Sequence, residues 1–170
     1  MTVSAVTIAV MNEDSGSQVQ PWFAEGLRFR CTGCGKCCTG PSRSVYLSQA
    51  DIVRLAEFFG MPAGRFVRRY TGIVKGRRVL GDTPGGGECI FLKDKACSAY
   101  EARPTQCRTY PWWAQNLQDE ETWQEAAAFC EGIDHPTAPL IPAEDIAEQY
   151  RLDEANEARQ MRRYPSPRSR

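Results

Sequence analysis

"RCTGCGKCC", Arg30–Cys38, places four cysteines within eight positions, and four more follow singly at Cys89, Cys97, Cys107 and Cys130. Three readings compete for this stretch: a metal clamp, a disulfide knot and a reactive thiol pair. The choice decides the fold, because thiolates around a metal supply folding energy that a modest hydrophobic core does not.

A two-residue spacer lets successive thiolates turn towards one ion, and Cys31, Cys34 and Cys37 meet that demand as C-x2-C-x2-C. Cys38 fits less simply. Adjacent residues project differently, so the Cys37–Cys38 doublet suggests that one thiol serves a second site or is a buried structural thiol. The later cysteines have seven, nine and 22 residues between them and join a site only through tertiary folding. Eight thiols supply two four-sulfur sites, or one such site with spare buried cysteines, and spacing leaves that partition open. The metal is open too. Three close ligands with a remote fourth match a ferredoxin-type [4Fe–4S] clamp, whereas Cys34-Gly35 suits a zinc knuckle.

Compartment bears on the disulfide reading. "MTVSAVTIAV" lacks a basic start and runs directly into "MNEDSGSQ", a poor secretory signal, and the sequence has no apolar run of membrane-spanning length. A cytoplasmic protein with no membrane association is expected, and a reducing cytosol disfavours structural disulfides. A thioredoxin-like redox pair wants a βαβ context around C-x-x-C. Here an extended "LRFR" precedes the pair and a second, overlapping C-x-x-C follows it, which favours chelation. The single histidine, His135, reads as a surface residue.

The 170 residues suggest one domain with one core. Apolar residues make up 42% of the chain, and 21 basic side chains balance 21 acidic ones, so bulk charge indicates no nucleic-acid ligand. The expected organisation is a loosely packed N-terminal arm over 1–20, a cysteine-cluster domain over 21–135, a helical extension over 136–163 and a basic tail over 164–170. The tail, with arginines and prolines and no acid, reads as solvated.

Inside these bounds, Ser48 with Asp51 three residues on reads as a capping box, and Gly60 closes that helix. Ile52, Leu55, Ala56 and Phe59 give it one buried face. Pro62 opens a second helix in which Phe66, Val67 and Tyr70 face inward. "GIVKGRRVLGD", 72–82, reads as a β-hairpin turning at Lys75-Gly76. The basic stretch Arg65–Arg78 reads as a solvated face. "TPGGGE" fits no phosphate-binding pattern and reads as a loop. "ECIFLKDKACSAY" is an apolar strand-like run with a turn. Pro104 opens a short helical turn that carries Cys107 and ends at Pro111, and "DEETWQEAAAFCEG" is a helix stopped by Gly132. A last, mostly charged helix runs from about Ala143 to Arg163. The fold class expected is a small metal-stabilised α+β domain with short helices, a β-hairpin and cysteine-rich loops.

"CTGCGKCC" followed by "GECIFLKDKACSAYEARPTQCRTYPWW" resembles the YkgJ-type cysteine-cluster proteins, the CxxCxxCC family of zinc- or iron-chelating domains. The resemblance covers about Phe29 to Gly132 and rests on the four-cysteine cluster, the C-x-F-L segment at Cys89–Leu92, and R-P-x-x-C-R-x-[FY]-P from Arg103 to Pro111. It implies Cys31, Cys34, Cys37, Cys38, Cys89, Cys97, Cys107 and Cys130 as the candidate ligand set, for Zn²⁺ or an iron–sulfur cluster at one or two centres. Arg103 and Arg108 are candidates for donation to cluster sulfurs or to a bound anion, with Arg103 bracing its loop against Glu101 or Asp94 as the structural alternative. The function expected is metal chelation. The alternative is an iron–sulfur redox enzyme or a methyltransferase-like protein, although no flavin, nicotinamide or adenosine-cofactor motif accompanies the cysteines.

Overall fold

Extended pairs, short helices and tight turns alternate along the chain, as its punctuation by glycine and proline demands. The structure is a computed structural model that describes residues 20–39, 44–83 and 86–162. Residues 1–19 of the expected N-terminal arm, the basic tail and part of the "TPGGGE" loop lie outside those residues. In chain order the elements are β1 (Leu27–Arg28), α1 (Gln49–Phe58), α2 (Ala63–Tyr70), β2 (Thr71–Val74), β3 (Arg77–Leu80), β4 (Leu92–Lys93), β5 (Ala96–Cys97), α3 (Thr105–Thr109), α4 (Glu120–Phe129), β6 (Leu140–Ile141) and α5 (Ala143–Arg162). Three antiparallel pairs, β1 with β6, β2 with β3 and β4 with β5, make the class α+β. No described helix is long and apolar enough to cross a membrane.

Length suggests a single core, but the buried side chains fall into two clusters, one in each of two compact units. The first unit comprises the described residues up to 32 together with Pro111–Arg151. Phe23, Leu27, Trp112, Leu117, Trp123, Ile133 and Ile146 form its core. Trp112 stacks on Trp123 with centroids 5.5 Å apart, and Phe29 meets Trp112 edge-on. Asp119 caps α4 by accepting the Thr122 N–H at 2.8 Å, while the Thr122 hydroxyl takes the Asp119 N–H.

Gly132 corrects the sequence reading. It does not stop α4, which ends at Phe129 with Cys130 as its C-cap. It is small because the backbone of Arg30 runs against it: a Cβ on Gly132 would lie 2.2 Å from the Arg30 carbonyl oxygen, whose own N–H donates to Gly132 O at 3.0 Å.

The second unit comprises Gly33–Tyr110 and the C-terminal part of α5 from Leu152. Ser48 and Asp51 form the expected capping box at the start of α1, and Ile52, Leu55 and Ala56 are buried. Phe59 stacks against Phe66, Tyr70 and Phe91. Phe66 and Leu55 are fully buried, and each such side chain is worth about 1.5–3 kcal/mol in removal from water. The β2–β3 hairpin turns at Lys75 and Gly76, both with positive φ, the mirror-image geometry that matches strand twist. Asp94 and Lys95 make the same kind of turn between β4 and β5, so the run after Cys89 is a second hairpin.

The charged helix α5 joins this unit through polar groups. Gln160 is buried, donating to Tyr46 O at 3.2 Å and accepting from Arg77. Arg77 in turn stacks its guanidinium over Tyr46, 3.8 Å from the ring centre.

Candidate metal centre

All eight cysteines lie among the described residues and none is joined in a disulfide. The two units divide them. Cys31 and Cys130 belong to the first, and Cys34, Cys37, Cys38, Cys89, Cys97 and Cys107 to the second.

In the first unit, Phe29 bridges Ile133 antiparallel, and Arg30 N donates to Gly132 O. Beyond Gly132 the chain makes a β-turn, with Ile133 N donating to Cys130 O, so this pairing ends before Cys130. Local backbone pairing thus joins the segment before Cys31 to the segment after Cys130. His135, in the same unit, accepts at Nδ1 from the Thr137 N–H at 3.2 Å.

In the second unit, Cys37 and Cys38 lie in a 3-10 turn, Lys36–Cys38, entered through Gly35 at φ 74°. Gly35 is held by contact as well as by backbone sign: a Cβ there would lie 2.5 Å from Lys95 O. The cysteine loop therefore rests directly on the β4–β5 turn. Cys38 is half-buried against the core, and its carbonyl accepts the Cys89 N–H at 2.8 Å beside the antiparallel bridge Thr39–Glu88. Cys97 ends β5 opposite Leu92. Cys107 sits in α3, with Pro104 preceding the helix as expected.

The thiols act on one another. Hydrogen bonds with Cys37 and then Cys89, followed by burial and the charges of those neighbours, push the Cys38 thiol far up. Burial raises Cys107, and Cys89, Cys37 and Cys97 add to the rise while Arg103 opposes it. Burial also raises Cys97, against the Ala99 N–H and Arg103, with Cys89 and Cys37 adding. Five thiols, Cys37, Cys38, Cys89, Cys97 and Cys107, thus share one electrostatic neighbourhood. Among the described residues no three His, Cys, Asp or Glu side chains already form an ion cage. Protonated thiols hydrogen-bond in pairs, whereas convergence of several sulfurs needs a cation to offset their charge.

Arg103 does not brace against Glu101 or Asp94. Its Nε donates to Tyr100 O at 2.8 Å, and its guanidinium lies 3.4 Å from the centre of the Tyr100 ring. Arg108, exposed on α3, is drawn below the ordinary arginine value by burial, then by Arg54 and by Arg103, with Asp51 opposing.

Asp51 has a role that sequence reasoning missed. Beyond capping α1, its Oδ1 accepts the Thr105 N–H and hydroxyl and pairs with Arg54, which also donates to Arg103 O at 2.9 Å. The signal available was a cap residue whose own helix leaves carboxylate capacity to spare, followed much later by a Pro-Thr helix start with no side-chain cap of its own.

A sulfur-only donor set, with arginine nearby to offset negative charge, is the chemistry of a domain that chelates metal through thiolates. The model of the family "CxxCxxCC: Putative zinc- or iron-chelating domain" matches residues 30–131, and the chain belongs to that family. The uncharacterized protein MJ0661 of Methanocaldococcus jannaschii is 31% identical over 96 residues, 55% of this chain and 50% of the relative. The chain thus spans about half the length of that curated relative. No solved structure matches it.

Proposed function

We propose that the chain holds an iron–sulfur cluster, with ligands drawn from Cys34, Cys37, Cys38, Cys89, Cys97 and Cys107 of the second unit. The observation that carries this reading is the run of closely spaced cysteines followed by single remote ones, the pattern of a ferredoxin-type clamp, together with the backbone pairing of Cys38 with Cys89. Four thiolates suffice for either metal, and what favours a cluster is this clamp-like spacing, three close cysteines followed by remote ones.

When bound, such a cluster supplies one-electron chemistry. The chain's own part is to hold and shield it. Cys38, Cys97 and Cys107 pack against an apolar core that limits water, and Arg103 offsets the thiolate charge at Cys97 and Cys107. Zinc is the second reading, favoured by the left-handed turn at Gly35 between Cys34 and Cys37, which suits a knuckle.

Anaerobic purification with metal analysis and a visible spectrum separates the two. Iron with inorganic sulfide and broad absorption near ~400 nm is the result expected of a thiolate-bound cluster. A colourless protein loaded with zinc overturns it.

A further inference from the structure

We propose that the arginine stripe of α2 and the tip of the β2–β3 hairpin form a docking face for an anionic lipid surface.

Arg65, Arg68 and Arg69 stand three and four positions apart on α2, a spacing that puts them on one side of the helix. All three are exposed, whereas Phe66, off that stripe, is fully buried. Tyr70 ends the helix and Thr71 directly begins β2. The Arg78 guanidinium donates to the Thr71 hydroxyl at 2.8 Å, and that hydroxyl donates to Val67 O at 2.7 Å, so the last turn of α2 is pinned to the hairpin. Thr71 and Ile73, two apart in β2, share one face of the ribbon with Arg78, the cross-strand partner of Ile73.

The hairpin is buried at its base and open at its tip. Val79 and Leu80 are core residues, but Ile73 is 53% and Val74 39% exposed, one on each face of the ribbon beside the Lys75-Gly76 turn. No acid occurs between Arg65 and Leu80. Arg77 is engaged by Glu157 and Gln160, and Arg78 by Thr71. Arg65, Arg68, Arg69 and Lys75 form no ion pair among the described residues. Their charges are a local excess in a chain that is neutral overall.

The sequence suggests a solvated face here and no membrane association for the chain. That reading assigns Ile73 and Val74 to a hairpin without saying which side chains stay exposed. Exposed aliphatics beside unpaired cations match a bilayer surface, where anionic headgroups lie over an apolar interior. A nucleic acid would use the cations but not the aliphatic pair. Its bases need an aromatic platform, and Tyr70 is packed against Phe59, Phe66 and Phe91. An acidic peptide offers no apolar layer to both faces of the tip.

The test is sedimentation of the full chain with vesicles of equimolar phosphatidylcholine and phosphatidylglycerol, beside vesicles of phosphatidylcholine alone, at low and high salt. It is repeated on Arg65→Gln with Arg68→Gln, and on Ile73→Thr with Val74→Thr, which keeps both side chains β-branched. Circular dichroism and metal content are read on each preparation. The expected result is salt-sensitive binding to the anionic vesicles alone, weakened about tenfold or more in each double variant, with circular dichroism and metal content unchanged. Arg65→Gln alone or Ile73→Thr alone, each with a loss of about threefold or more, replaces a double variant that does not fold. Binding that is absent, equal on neutral vesicles or undiminished in either variant overturns the proposal. Polyuridylate or polyglutamate bound in place of the vesicles assigns the face to a nucleic acid or an acidic protein and overturns it too.

Discussion

Asp51 Oδ1, buried at the start of α1, accepts the backbone N–H of Thr105 at 2.8 Å and its hydroxyl at 2.9 Å. One carboxylate therefore caps two helices. α1 receives the usual capping box, and α3, whose preceding residue is a proline with no side-chain acceptor, borrows its cap from 54 positions earlier. Because α3 carries Cys107, the link ties the position of a candidate ligand to the first helix of its unit.

Asp51→Ala removes the acceptor for both caps and leaves Arg54 without its partner, a loss in the range of about 3–5 kcal/mol for breaking a buried pair. Asp51→Asn keeps an oxygen and costs less, about 1–3 kcal/mol. Urea denaturation reads both values, and metal content is expected to fall in the same order. Equal stability of Asp51→Ala and wild type would show that the caps contribute nothing.

The same carboxylate sets an acid response. Burial alone would raise it, but hydrogen bonds from Ser48 and Thr105 outweigh burial and hold it below the ordinary aspartate value of 3.8. A group with a depressed folded value stabilises fully above its unfolded value and loses that contribution as pH falls through the folded one. The stability gap between wild type and Asp51→Asn is therefore expected to be constant at neutral pH and to narrow below 3.8. A gap independent of pH down to acid unfolding would contradict the assignment.

Gly35→Ala drives a methyl group into Lys95 O at 2.5 Å and holds alanine at φ 74°. Gly33→Ala carries the same backbone strain with open space around it. The strain alone costs about 1–2 kcal/mol, so Gly33→Ala should lose that much and Gly35→Ala more. Metal retention should fail in Gly35→Ala first, since only there does the cysteine loop lift from the β4–β5 turn. Thermal melts with metal analysis on both variants check the order.

Cys38 hydrogen-bonds with Cys37 and Cys89, and its backbone pairs with Cys89. Cys38→Ala is expected to lose metal and stability together, because it also empties part of the core, at about 1 kcal/mol per buried methyl-sized group. Cys37→Ala, at an exposed position, should lose metal with little change in the stability of the metal-free protein. Identical stability losses in both metal-free variants would refute this division of the doublet.

Burial raises the Asp153 carboxyl, and Glu157 and Glu154 add to the rise, while the Thr109 hydroxyl donates to it at 2.8 Å and opposes them. A raised folded value favours the protonated form, so the ionised group weighs against folding as pH climbs through that value. Asp153→Asn keeps an acceptor for Thr109 and removes the charge. It should melt above wild type at neutral pH and match it in acid, and a lower neutral Tm would overturn the reading.

Much of the local structure was legible. Ser48 and Asp51 announced a helix start, Lys75-Gly76 a hairpin, and Pro104 the turn carrying Cys107, because each depends on neighbours within a few positions. The same locality misled at Gly132, where a glycine after a helical run looks like a stop. Its reason lies in the backbone of Arg30, about a hundred residues away and invisible to any short window. Arg103 misled in the same way: nearby acids suggested an ion pair, but the ring of Tyr100 lay closer once the chain turned.

Sequence by itself determined the donor chemistry. A cluster of cysteines makes soft sulfur ligands available, suited to zinc or iron, since ligand type is a property of side chains. Tertiary structure alone decided the grouping. Cys38 meets Cys89 through backbone pairing beside the antiparallel bridge Thr39–Glu88. Asp51 reaches Thr105 because a buried carboxylate must find donors wherever the fold supplies them.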